Sequence, residues 1–172
     1  MAFLTALMLG MAPAPPAEWV TKIYNGWRVS AVQPSSCVAI KQFEGDIIVY
    51  LEFFERHNEV TLAVGDPSFE SLKDGEVYKL TTDLELKDGR TANFGQVNFL
   101  GRVDGNIRSI AAPFVGKEFL GVFEQAARLK IKRGEVSVAD VDVSYGQGWQ
   151  ISALRDCAAL MAKKNPSDPF AD

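Results

Sequence analysis

Along most of this chain apolar and polar residues alternate with a period of two, and they change to a helical period at two places late in the sequence. Trp27, Val29 and Ala31 alternate with Arg28 and Ser30, which predicts a half-buried strand after a short lead-in over Glu18–Asn25. Pro34-Ser35-Ser36 turns the chain into a second strand, Cys37–Phe43, and Glu44-Gly45-Asp46 turns it again. The next run, Ile47–Phe54, is the most apolar after the first residues; its length and β-branched content predict a central strand. Glu55-Arg-His-Asn58 then leads to Val60, Leu62 and Val64, which face one way. A looser connection from Gly65 is expected to be anchored by Phe69 and Leu72, with a turn at Asp74-Gly75.

Tyr78, Leu80, Thr82, Leu84 and Leu86 alternate with polar neighbours in the clearest two-sided strand of the chain. Asp88-Gly89 is the strongest hairpin signal, returning through Ala92 and Phe94. After Gly95 the apolar phase slips to Val97 and Phe99, as a β-bulge produces. Asp104-Gly105-Asn106 turns into Ile107–Ala112, and Pro113 is expected to end that strand. Leu129–Lys132 and Glu135–Tyr145 then form a hairpin around Arg133-Gly134, with a bulge near Ala139. In it Lys130 and Lys132 fall on the solvent side.

The first helical period covers about 116–128, with Phe119, Leu120, Val122, Phe123, Ala126 and Ala127 on one side and Gly121 weakening it. The second covers about 149–164. Ile151, Leu154, Cys157, Ala158, Leu160 and Met161 form its apolar arc, opposite Ser152, Arg155, Asp156 and Lys163. Lys163 and Lys164 suit the helix dipole in the last turn, and Asn165-Pro166 stops the helix. Together these elements predict a mainly β (α+β) domain, an antiparallel sandwich or open barrel of about 8–10 short strands with two late helices.

A chain of 172 residues suits one domain, here expected over 18–165 with a mobile tail at 166–172. The net charge of −4 argues against nucleic acid or an anionic membrane surface as the main partner. Residues 1–17 combine an apolar run with small residues and prolines, as a signal peptide does, although no Lys or Arg precedes the run. The run is too short to span a bilayer, so no stable membrane insertion is expected after its removal. Export makes the cysteines informative. In an oxidising compartment the only possible pairing is Cys37 with Cys157, worth about 4–5 kcal/mol in the chain-entropy model; two separate buried thiols are the alternative.

Candidate chemistry is sparse. The single histidine, His57, sits in a polar turn, without a nucleophile elbow elsewhere to make it one of a triad. Asp140 and Asp142 share one side of a strand, where a pair of carboxylates can bind a divalent cation or move protons, or simply be solvated. Gly146-Gln-Gly148 lacks the remaining residues of a phosphate loop or dinucleotide fingerprint. Trp149, beside those glycines, can line a groove or serve as a buried anchor. No cofactor and no catalytic set is assigned from these residues.

The order of features resembles one known family. A signal-like start, the early Trp27-Arg-Val29 strand, Cys37 soon after, a β-rich middle, and a valine strand running into Ala153-Leu154-Arg-Asp-Cys157 are similar to periplasmic proteins of the invasion-associated locus B type. That resemblance implies a β-sandwich, an envelope location and a role in surface interaction, and it brings no catalytic residues; the chain has fewer early cysteines than that family's pattern. The expected function is therefore a periplasmic or secreted, non-enzymatic binding or structural domain, its partner an envelope protein or small ligand. The alternative is a small hydrolase or ligand carrier with a pocket between the sheet and the last helix, containing Trp149, His57, Asp140 and Asp142.

Overall fold

The structure, a computed structural model, describes residues 21–32, 36–144 and 147–164. The expected leader, the Pro34-Ser35 part of the first turn, Tyr145-Gly146, the Asn165-Pro166 stop and the tail lie outside them. In chain order the elements are β1 (Lys22–Tyr24), β2 (Trp27–Val32), β3 (Ser36–Gln42), β4 (Ile48–Phe54), β5 (Glu59–Gly65), β6 (Val77–Leu86), β7 (Thr91–Asp104), β8 (Ile107–Val115), α1 (Gly116–Phe123), β9 (Ala126–Arg133), β10 (Val136–Asp142) and α2 (Gln147–Lys164). Single 3-10 turns at Glu44–Asp46 and Glu55–His57 flank β4.

The ten strands make one antiparallel sheet in the order β1-β2-β3-β4-β5-β8-β7-β6-β9-β10, and its two end strands are not paired with each other among the described residues. Of a sandwich and an open barrel, the chain thus takes the continuous, unclosed sheet. Alternation gives the sheet an inner face, which holds Trp27, Val29, Cys37, Ala39, Val49, Leu51, Phe53, Val60, Leu62 and Val64, all fully buried. Both helices cover this inner face. α1 brings Phe119 and Phe123 into an aromatic chain that runs from Phe94 and Phe114 to Trp27 and Phe43, with centroids 4.5–6.3 Å apart. Such edge-on and tilted pairs add to the burial of their rings. α2 lays Ile151, Leu154, Cys157, Ala158 and Met161 against β2 and β3. The Cys37 and Cys157 sulfurs lie at bonding distance, 1.93 Å, with their Cα atoms 6.0 Å apart.

Several details follow from local sequence. Phe94-Gly95 is the bulge: Thr81 pairs with Gln96 but Asp83 pairs with Asn93, and Gly95 takes φ +69°. The second bulge falls between Ser137 and Ala139. Phe69 and Leu72 pack on the core from the β5–β6 connection.

Other expectations need correction. The lead-in contains a strand: Asn25 and Gly26 both have positive φ, the geometry of a tight hairpin turn, and they fold β1 back onto β2. Pro113 does not end its strand, because β8 runs on to Val115. The β7 ladder stops at Ala111, so beyond it one flank of β8 has no partner strand, and a residue lacking an N–H is tolerated. The first helix covers only Gly116–Phe123, not 116–128. Residues 126–133 instead pair with β6 on one side and β10 on the other, and those ladders outweigh the helical apolar period. On α2, Leu160 stays 36% exposed rather than joining the buried stripe, and the polar Gln150 in the first turn is fully buried.

Candidate functional site

One depression lies at the seam of the sheet and another on its outer face. At the seam, the end of β3 and the turn after it face β9 and β10 across a groove of about 570 Å³. Lys41, Phe43, Glu44 and Ile47 line one bank; Arg128, Asp140, Asp142 and Ser144 line the other. Its charges are largely paired. Arg128 holds Asp140 through Nε at 2.9 Å and a terminal nitrogen at 2.8 Å. Asp142 accepts the Ser144 hydroxyl at 2.6 Å and the Ser144 backbone N–H at 2.9 Å, which hold its carboxyl below the usual range, helped by Arg128 and Lys41. Burial lowers the Lys41 ammonium below its ordinary value, while Asp142 opposes that shift across the seam, and Lys41 Nζ sits 4.9 Å from the Phe43 ring centre. These bonds lie within the β9–β10 bank, and Lys41 acts on Asp142 across the groove through its charge.

The outer face is a different case. In register, Arg28, Ile40, Tyr50, Ala63 and Ala111 form one row across β2, β3, β4, β5 and β8. Gln42, Ile48, Gly65, Ser109 and Arg102 form the next. A trough of about 420 Å³ runs over these rows, floored by Ile40, Ile48, Ala63, Gly65 and Ala111, with Ile107 58% exposed at its rim. Small residues in the centre and larger ones at the edge make the hollow. A second depression of about 280 Å³, lined by Gly26, Arg28, Ile40, Lys41, Gln42 and Ile48, continues it past Ile40 and Ile48.

The polar groups of the trough differ in how far they are engaged. Glu52 accepts Ser36 Oγ at 2.6 Å on one oxygen and Tyr50 OH at 2.9 Å on the other. Burial first, and then this bond to Glu52, push the Tyr50 phenol well above its ordinary value. Arg102 and Arg28 are exposed and make no ion pair or side-chain hydrogen bond among the described residues.

The residues nominated from sequence do not converge. Asp140 and Asp142 share the seam groove. His57 is exposed on the turn after β4, near the C-terminal end of α2, where Arg56 donates to the Ala162 carbonyl at 3.3 Å. Trp149, in the first turn of α2, is 71% exposed, so it is not a buried anchor. From Trp149 to Ala162 the helix rises about 20 Å, which separates the tryptophan from the histidine turn. Among the described residues, neither the seam groove nor the depressions of the outer face take a lining residue from α2. Among the described residues, no group of three or more His, Cys, Asp or Glu is placed to hold a metal ion, and no helix is long and apolar enough to cross a membrane.

The outer trough was not nominated from sequence, although one signal was present. In β4, Ile48, Tyr50, Glu52 and Phe54 supply the outer side while Val49, Leu51 and Phe53 supply the inner, so apolar residues stand on both faces, with Glu52 the charged exception. Compared with family models, with curated proteins and with solved structures, this chain finds no match.

Proposed function

We propose that this chain is an exported, non-enzymatic binding domain of the envelope or the extracellular space, and that it binds on the outer face of its sheet. The observation that carries the reading is the apolar outer trough across β3, β4, β5, β8 and β7, on the face opposite both helices. An antiparallel sheet ordinarily presents a polar face to water, and an apolar depression of ligand size on that face is the usual form of a binding surface. The bonded Cys37 and Cys157 support an oxidising compartment, as do the signal-like start and the resemblance to the invasion-associated locus B type.

The test is native mass spectrometry of protein recovered from the envelope fraction, beside intact mass before and after alkylation. The expected result is loss of the leader, one disulfide, and a non-covalent adduct absent from Ala63→Asp. Cytoplasmic retention with two free thiols defeats the location, and bare polypeptide in both proteins defeats the binding role.

A further inference from the structure

We infer that the outer trough is a site for a long-chain carboxylate, with the acyl chain lying across the strands and Arg102 taking the headgroup. This rests on the binding reading above and specifies its ligand. The chemistry of the trough selects for such a molecule. Ile40, Ile48, Ala63, Gly65 and Ala111 offer dispersion contacts along it, with the polar Tyr50, Glu52 and Thr61 towards one side. Between β3 and β7 it crosses four strand spacings, roughly 19 Å at about 4.8 Å each, a length that suits an extended chain rather than a compact polar metabolite. The volume of about 420 Å³ falls in the range of small-molecule sites.

Charge fixes the headgroup. Of the ionisable groups on the trough, Glu52 accepts Ser36 Oγ and Tyr50 OH, Tyr50 commits its proton to that bond, and Arg102 is the cation. Arg102 lacks a partner, and Ser109 stands directly opposite it in the β7–β8 ladder with its hydroxyl on the same face. A guanidinium and a hydroxyl side by side at the end of an apolar channel complement one carboxylate. Arg28, also unpartnered, lies at the far end and adds to the positive field. Pairing this face with a second copy would bring two Arg102 and two Arg28 side chains to one interface where Glu52 is the acid that lines the trough.

The experiment titrates the full-length oxidised protein with sodium dodecanoate below its micelle concentration, followed by calorimetry and amide NMR shifts, with dodecanol as the uncharged control. The expected result is saturable binding of one dodecanoate with shifts confined to Ile40, Ile48, Ala63, Gly65, Ser109 and their neighbours. Ala63→Phe fills the floor and weakens both ligands by about tenfold or more. Arg102→Gln weakens dodecanoate about tenfold and leaves dodecanol unchanged, because only the charged headgroup uses it. Should Ala63→Phe fail to fold, Ile48→Asp places a like charge on the floor and is expected to abolish dodecanoate binding. Absence of saturable binding, shifts centred on α2 or the seam, or full affinity in Ala63→Phe overturns the assignment. So does wild-type dimerisation lost in Ala63→Phe, which would make a second copy the occupant. If dodecanoate fails while native adducts of another mass persist, the carboxylate is wrong and the binding face stands; if both are missing, both fall.

Discussion

Removing the Cys37–Cys157 link tests the architecture most directly. The two residues are 120 apart in sequence, fully buried, and they join β3 to α2. Opening a loop of that size restores chain entropy to the unfolded state worth about 5 kcal/mol. A domain of this size is stable by about 5–15 kcal/mol in all, so the loss is at least a third of the total. At about 2–4 °C per kcal/mol, the melting temperature should fall by about 10–20 °C. The measurement is calorimetric melting of the oxidised protein against the same protein held reduced, which keeps both sulfurs and removes only the bond. The Cys37→Ala/Cys157→Ala pair serves as a control that cannot re-form it. A further, smaller drop is expected in the pair, since two buried sulfurs are lost from the α2–sheet contact. Oxidised and reduced proteins melting within about 4 °C of each other would refute the reasoning, because it would mean that packing alone holds α2 on β2 and β3 and the long loop is closed without the bond.

Four other outcomes are expected. Gly116→Ala should cost about 1–3 kcal/mol in urea unfolding, because an added Cβ would lie 2.5 Å from the Phe53 ring and 3.0 Å from the Asn58 carbonyl carbon; an unchanged midpoint would show that the β8–α1 junction can shift freely. Gln150→Met should raise stability by about 1 kcal/mol, since both amide atoms are buried without a protein partner, and destabilisation would show that the amide is engaged. Asp142 titrates below the usual carboxylate value, so its contribution to stability is present above the unfolded value, near 3.8, and is lost as pH falls through the lower folded value; Ser144→Ala should move its NMR titration upward, and an unmoved curve would remove the hydroxyl from the cause. Tyr50 has the opposite sign. Its raised value gives stability that is full below its ordinary value, 10.0, and declines as pH rises through the folded one; Glu52→Gln should lower the phenol toward 10.0 without reaching it, because burial remains, as read by ultraviolet titration against Tyr50→Phe.

Local sequence determined the features that local physics can carry. Period-two alternation placed Trp27 and Val29, then Val60, Leu62 and Val64, on one buried face, because a strand sends alternate side chains to opposite sides. Glycine placed the bulge after Phe94, since Gly95 takes a positive φ. The 3.6-residue period found the buried stripe of α2 with Cys157 in it. In the apolar arc after Gly116 the same signal extended too far: Ala126–Arg133 contains alternation as well, and only the presence of β6 and β10 on either side decided in favour of a strand.

The order of strands, the seam and the outer trough were decided by tertiary structure alone. The Ser144 bonds to Asp142 are local, two residues apart, but nothing near Asp140 or Asp142 in sequence shows that Lys41 faces Asp142 across a gap. Likewise Ile40, Ile48, Ala63, Ala111 and Arg102 belong to five strands whose register makes them neighbours. The apolar residues on the outer side of β4, Ile48 and Phe54, were written in the chain, but a central strand buried on both faces has a similar composition. Where the helices settle, against the inner face and not the outer, is what turns one of those sides into core and leaves the other as surface.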